Sequence, residues 1–361
     1  MADTKENLIV KLIDPSEYRK ELIELLTEVF CEERDTEEFI WKYEKNPYGK
    51  MHVWSVWDLN LNVMVAAFSA YKRLFIYQST IVPVYQQADA VVKKGYRGMG
   101  LFSLLINMIS EHAIKEGAIF HFGYTNDLSA KVMIKFPDAR ELYVSNVFVF
   151  MNGTQDLANT YLKARKLPSF IIKYLGTPII KGYNYIRGYY KEPDSYTLES
   201  LETFPDSIEE WSFNMAKAHQ YFPLRDNKYL NWKSMEVPDK QKKDLMVYWC
   251  LEKTNRIGYC ILYRDESRNI IKLIDLLADN ILSLRKCLNA IRYYAIQHNF
   301  DAITTNAASK VYSEALEAEG FIKVKKVRST VFFLNKSHLT ECKFDDTFWM
   351  QLPIDRDNFG Y

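Results

Sequence analysis

Between residues 91 and 102 the chain reads Val91-Val92-Lys93-Lys94-Gly95-Tyr96-Arg97-Gly98-Met99-Gly100-Leu101-Phe102. A strand-like run passes through an Arg-Gly-x-Gly turn into a segment, 101–112, with helical periodicity. No other stretch restricts the fold as tightly. Glycines at such a junction leave backbone N–H groups uncovered where a helix dipole points its positive end, and a pyrophosphate fits there. The Gly-Lys-Ser/Thr of a nucleotide-hydrolase phosphate loop and the third glycine of a dinucleotide fingerprint are both missing.

The chain has 361 residues, about right for two domains that each bury a core. Lys plus Arg (47) nearly balances Asp plus Glu (46), so no global field draws in nucleic acid. The cysteines Cys31, Cys250, Cys260, Cys287 and Cys342 are scattered, odd in number and form no Cys-x-x-Cys pair. They read as reduced thiols of a cytoplasmic protein. No His/Cys/carboxylate spacing suggests a zinc site, so no metal is expected. The N-terminus lacks a signal-peptide pattern, and no apolar stretch approaches the roughly 20 residues that span a bilayer.

Two motifs recur in the same order. Phe39-Ile40-Trp41-Lys42 followed by Pro47 returns as Leu230-Asn231-Trp232-Lys233 followed by Pro238, and Thr125-Asn126-Asp127-Leu128-Ser129 returns as Thr305-Asn306-Ala307-Ala308-Ser309. The segments between them correspond as well. Strand pairs are expected at 52–57 with 64–72 and at 245–251 with 257–263, and third strands at 88–92 and 270–277. Crossover helices follow at 101–115 and 282–298, then strands at 119–124 and 302–305, then a final helix in each copy. This is an α/β layer order built twice. The expected domains are 1–150, a connector at 151–200, and 201–361. Only the first copy has the glycine loop; the second has Ala278-Asp279-Asn280-Ile281 in its place. One coenzyme site is therefore expected, with the second copy shaping or closing the acceptor cleft.

The connector interleaves basic residues such as Lys173, Lys181 and Arg187 with aromatic and aliphatic ones such as Phe170, Tyr183 and Ile186. Two readings stay open: an amphipathic insert packed on both lobes, or a weak membrane-surface contact through 160–191. Stacking of single-stranded nucleic acid ranks below both, given the balanced charge.

Arg97-Gly98-Met99-Gly100-Leu101-Phe102 resembles the Arg/Gln-x-x-Gly-x-Gly/Ala coenzyme A loop of the GNAT superfamily of N-acetyltransferases, with Phe102 replacing the final small residue. Extended back to Asp89, the segment is similar to the Asp-x-x-Val-His-Pro-x-Tyr-Arg-Gly-x-Gly-Leu-Phe signature of tandem-domain acetyltransferases often found among surface-polysaccharide genes. Lys93 and Lys94 stand where His and Pro would be. The Trp-Lys…Pro box, the Thr-Asn-x-x-Ser motif and Arg225-Asp226-x-x-Tyr229-Leu230-Asn231-Trp232 add to that likeness. It implies two tandem GNAT-fold domains, the second degenerate at the coenzyme loop, and acetyl-coenzyme A as cosubstrate. The implied reaction is acetyl transfer to a primary amine of a small molecule, an amino sugar being one example.

By the same resemblance the thioester lies against the backbone of Ala90, Val91, Val92 and Lys93. Arg97, Gly98, Met99, Gly100 and Leu101 surround the pyrophosphate, and Asn126 and Ser129 stand where the pantetheine arm meets the next helix. Asp89 occupies an acidic family position and is the first candidate base, with a structural salt bridge as the equal alternative. His121 is a second candidate, against which stands a core histidine. The Tyr361 carboxylate is a third, by analogy with related enzymes whose chain terminus enters the active site. The superfamily's general-acid tyrosine is replaced by Met133, which leaves Tyr124, Tyr96 and Tyr143 among 25 tyrosines. Two other functions compete: a Fem-type aminoacyl transferase using aminoacyl-tRNA, and a non-catalytic coenzyme A-binding module.

Overall fold

The computed structural model describes residues 7–125, 127–142, 145–153, 176–191, 195–327, 330–334 and 352–355. The elements are β1 (Leu8–Ile13), α1 (Arg19–Phe30), α2 (Thr36–Phe39), β2 (His52–Asp58), β3 (Val63–Tyr77), β4 (Thr80–Val92), α3 (Leu101–Lys115), β5 (Phe120–Gly123), α4 (Asp127–Met133), β6 (Ala139–Leu142) and β7 (Ser145–Met151). Then come α5 (Thr177–Ile186), β8 (Tyr196–Ser200), α6 (Glu209–Ala216), β9 (Tyr221–Pro223), α7 (Asn227–Ser234), α8 (Asp239–Lys242), β10 (Leu245–Glu252), β11 (Asn255–Asp265), β12 (Ile270–Ala278), α9 (Ile281–Gln297), β13 (Ala302–Ala307), α10 (Lys310–Ala318), β14 (Ile322–Val327) and β15 (Thr330–Leu334).

Each of two sheets repeats one plan. The first runs β1-β2-β3-β4-β5-β15-β6 and the second β8-β10-β11-β12-β13-β7-β14. In both, an antiparallel series meets a parallel partner where the crossover helix returns: β4 with β5, and β12 with β13. Each sheet also takes one strand from the opposite end of its own sequence range. β15 lies between β5 and β6, and β7 lies between β13 and β14. The compact units are accordingly discontinuous: Met1–Tyr143 with Glu236–Pro238 and Arg328–Phe344, against Val144–Met235 with Asp239–Val327 and Asp345–Tyr361.

That division departs from the contiguous ranges expected at 1–150 and 201–361. Periodicity identifies a strand but does not say which sheet it joins, and β7 and β15 each join the other one. Of the connector, 154–175 and 192–194 lie outside the described residues; β8 at its end is an edge strand of the second sheet.

Within the first unit, β3 is buried along almost its whole length, as a central strand covered on both faces should be. Against it packs α3, whose buried residues Leu101, Leu105, Ile106, Ile109 and Ala113 recur with the helical period. These meet Trp54, Val56, Val65, Phe68 and Tyr85 from the sheet. The hairpin β3–β4 is longer than expected. It closes through Gln78 and Ser79, both at positive φ, a two-residue turn that suits the right-handed strand twist.

The Trp-Lys boxes occupy matching local settings. Asp35 caps α2 by accepting from the amides of Glu37 and Glu38, and Asp226 caps α7 by accepting from that of Tyr229. Trp41 and Trp232 are both buried. So are Lys42 and Lys233, which is unusual for lysine and requires compensation.

Candidate active site

In the first unit β4 stays paired with β3 up to Val92 but pairs with β5 only through Tyr85 and Gln86. From Gln87 onward its second edge has no strand beside it among the described residues. A register shift between Phe68 and Ala70 places a bulge opposite Ser69, whose Oγ donates to the Asp89 carbonyl at 3.2 Å. The Lys93 amide donates to the Val65 carbonyl at 2.9 Å. By the two-residue alternation of an antiparallel ladder, Val91 also faces β3, while the peptide groups of Ala90 and Val92 face the open side. A carbonyl or amide of a ligand can thus meet the Ala90 backbone and the Val92 amide here, the Val92 carbonyl being taken by Arg97 Nε at 3.2 Å.

The loop begins where this strand ends. Residues Lys94–Tyr96 form one 3₁₀ turn. Gly98 (φ +82°) and Gly100 (φ +81°) then adopt left-handed conformations, and a Cβ on either would meet nothing within 4 Å. Glycine is required by the backbone angle rather than by crowding, and the space it leaves is available to a ligand. Gly100 is the N-cap of α3 and brings no side chain to cap it. The first helical bond runs from the Leu104 amide to the Gly100 carbonyl, so the amides of Leu101, Phe102 and Ser103 point outward with the positive end of the dipole.

The loop is braced rather than loose. Tyr96 donates its hydroxyl to Asp58 at 2.7 Å, Arg97 donates from Nε to the Val92 carbonyl at 3.2 Å, and Lys93 pairs with Glu28 at 2.7 Å. Met99 packs partly buried against the core, and Phe102 stacks on Phe68 with centroids 5.3 Å apart. Phe102 is thereby held partly buried against the core rather than projecting into the loop.

The second unit answers the same position differently. Asn280 caps α9, its Oδ1 accepting from the amides of Leu282 at 2.9 Å and Ser283 at 3.0 Å. Its own side chain occupies the groups that α3 leaves open, and no residue of that loop has positive φ.

Asp89 sits in β4 with its side chain buried, 2.7 Å from Lys42 Nζ and accepting from the Tyr43 hydroxyl at 2.6 Å. Burial alone would raise its carboxyl. The Lys42 ammonium, the two hydrogen bonds and the field of Arg34 outweigh that and hold it below the usual carboxylate range. Asp89 also lines a small pocket of about 20 Å³, room for roughly one water, with Arg34, Lys42, Tyr43, Phe39 and Glu38.

His121 has both ring nitrogens engaged: Gln87 Nε2 donates to Nδ1 at 2.7 Å, and Nε2 shares a proton with Ser110 Oγ at 2.6 Å. Burial pushes its pKa down to about 3. This is the core-histidine arrangement, with no ring nitrogen facing the open edge of β4. The hydrogen bond to Asp58 raises the Tyr96 phenol, which weakens it as an acid. Ser129 lies in α4, half-buried. Asn126, Tyr143 and Tyr361 lie outside the described residues, and Met133 is buried.

Sequence reasoning missed Lys42 as the partner of Asp89. It also missed Arg34-Asp35 as the counterpart of Arg225-Asp226, although Asp35 precedes Trp41 by the same interval as Asp226 precedes Trp232. In the second unit Arg225 binds both Asp275 (3.0 Å) and Asp355 (2.8 Å), with all three side chains buried.

No protein-family model matches this chain, and no curated protein matches it by sequence. Solved structures match its fold. A GCN5-related N-acetyltransferase from Anabaena variabilis gives a TM-score of 0.62 at 13% identity, over 91% of this chain and 73% of that one. A protein of unknown function from Enterococcus faecalis, described as a probable N-acyltransferase, gives 0.61 at 11% identity, over 90% and 72%. N-myristoyltransferase from Saccharomyces cerevisiae, with bound myristoyl-CoA, gives 0.56 at 14% identity, over 91% and 82%. The fold is that of GNAT-type acyltransferases.

Proposed function

We propose that this chain is an acyl-coenzyme A-dependent N-acyltransferase that uses the first unit for coenzyme and acylates a primary amine of a small molecule. The observation that carries the reading is the Gly98/Gly100 turn, which opens an uncapped α3 directly after a strand that, from Gln87 onward, has no strand on its second side among the described residues. Pyrophosphate would sit on the amides of Gly98 to Leu101 beside Arg97, with the thioester along Ala90 to Lys93. Asn126 and Ser129 would flank the pantetheine arm. The amine nitrogen attacks the acyl carbon, the carbon–sulfur bond breaks, and coenzyme leaves as a thiolate that takes up a proton. Among the candidate bases we favour Asp89 over His121, because it lines a pocket beside that strand and remains ionised at neutral pH.

Acetyl is the acyl group implied by the loop, and an amino sugar is one acceptor consistent with the surface-polysaccharide likeness. The myristoyl-CoA held by a structural neighbour makes acyl length part of the test. Calorimetry with coenzyme A should show one site per chain, and thiol release should follow when acetyl- to myristoyl-coenzyme A is offered with a panel of amines. A specific observation favours one alternative, a coenzyme-binding module without catalysis: Asp89 is tied to Lys42 and Tyr43. Binding without thiol release on any amine would establish that alternative, and absence of binding would remove both.

A further inference from the structure

Helix α5 is arranged inside out. Its buried residue is a polar one, Asn184, which donates to the Met151 carbonyl at 2.9 Å. Tyr190 adds a hydrogen bond to Asn152 at 2.7 Å, and Tyr189 packs edge-on against Phe150, with Arg292 over its ring. The helix is thus fixed by its polar side and the turn that follows. Ile179, Tyr183 and Ile186, spaced i, i+4, i+7, fall within about 60° on the opposite side. They are 67%, 52% and 84% exposed, and neighbouring Tyr185 is 77% exposed.

Charge distinguishes what such a face suits. The whole chain is nearly neutral, yet residues 157–191 contain seven Lys or Arg and no Asp or Glu. Lys181, Arg187 and Lys191 belong to the described part and are exposed. Arg187 lies over the Tyr183 ring at 5.3 Å, placing a cation at the margin of the apolar stripe. The complementary partner is anionic at its surface and apolar just beneath. Single-stranded nucleic acid offers the charge and a stacking face for tyrosine, but nothing that takes up two isoleucines. A second copy of this chain would bring like charge to the face.

We propose that α5, with the turn through Lys191 that follows it, forms a peripheral docking site for anionic lipid surfaces, independent of acyl transfer. Ile179, Tyr183 and Ile186 insert at the headgroup boundary while Arg187, at the margin of the stripe, and Lys191 meet the lipid phosphates. A helix this short gives reversible, salt-sensitive attachment rather than anchoring.

Cosedimentation of the full chain with vesicles of phosphatidylcholine, alone or with about 30% phosphatidylglycerol, tests this. Binding to the anionic vesicles should exceed that to neutral ones by about tenfold at low salt and fall away near 0.3 M salt. Ile179→Ser, Tyr183→Ser and Ile186→Ser combined should weaken it about tenfold. Arg187→Glu with Lys191→Glu should remove the preference for anionic lipid. Leu59→Ser with Leu61→Ser, exposed side chains elsewhere on the protein, should change nothing. No sedimentation with anionic vesicles at low salt would overturn the proposal. So would a serine triple variant that binds like the parent, or binding of a single-stranded oligonucleotide in place of vesicles.

Discussion

At the scale of single residues, the coenzyme reading turns on two backbone angles. Gly98→Val or Gly100→Val forces a β-branched residue to positive φ, at a cost of about 1–3 kcal/mol, and fills the space a phosphate would use. Coenzyme affinity should fall by at least about tenfold for each in calorimetry, because a loop that relaxes away from positive φ must return to it, past the added side chain, to bind. Asp89→Asn should lower turnover about 10²–10⁴-fold if the carboxylate accepts the amine proton. It also removes the carboxylate that the buried Lys42 ammonium pairs with, so the comparison needs the Lys42→Met/Asp89→Asn pair and a melting curve beside the rate. A wild-type rate in a folded Asp89→Asn protein would leave Asp89 with the structural role alone. The glycines were legible in the sequence because a strand, a turn and a helix adjoin along the chain. Lys42 was not, since it meets Asp89 across 47 positions and lysine in a helical box ordinarily reads as solvated. His121 resisted in another way: only the positions of Gln87 and Ser110 show that both its nitrogens are taken.

Among the elements, helix starts separate the two units. α3 begins uncapped behind two left-handed glycines, whereas α9 begins behind Asn280, which caps itself in. Asn280→Ala should therefore cost about 1 kcal/mol of stability, read as a lower denaturation midpoint, and leave coenzyme binding in the first unit unchanged. A gain or loss of coenzyme affinity in that variant would contradict a one-sided site. The sequence order of strands and crossover helices was readable from periodicity, and α3 falls on the expected range 101–115. Strand ends were less so. Residues 73–87 became part of a long hairpin whose Gln78-Ser79 turn has neither Asn nor Gly to announce it, and β4 gained its first eight residues from that hairpin.

For the molecule as a whole, acid should be destabilising well above the carboxylate range. His121 takes up a proton near pH 6.5 when unfolded but only at about pH 3 when folded, and burial likewise lowers His219 to about 4. Between those values the unfolded chain binds the extra proton, so stability falls as pH falls through that window. The loss is about 2 kcal/mol per histidine by pH 5. Asp89 acts in the same direction further down: its stabilising contribution is present above the ordinary carboxylate pKa of 3.8 and is lost as pH drops through its depressed value. Urea denaturation at pH 7.5 and pH 5 measures the first part, and equal midpoints would show that neither imidazole stays neutral. The duplicated strand plan could be read from the repeated Trp-Lys and Thr-Asn motifs, but the exchange of β7 and β15 could not. An edge strand carries no mark of which neighbour receives it. That exchange has a bearing on how the chain is made. The first sheet lacks its strand between β5 and β6 until residue 334 has been synthesised, and the second needs a strand made before any other part of it. An emerging N-terminal half therefore waits on the ribosome with two unpaired edges, and contacts of such long sequence separation favour slow folding. Calorimetry of the intact chain should accordingly give one unfolding transition, because neither sheet can come apart without giving up a strand that the other end of the chain supplies.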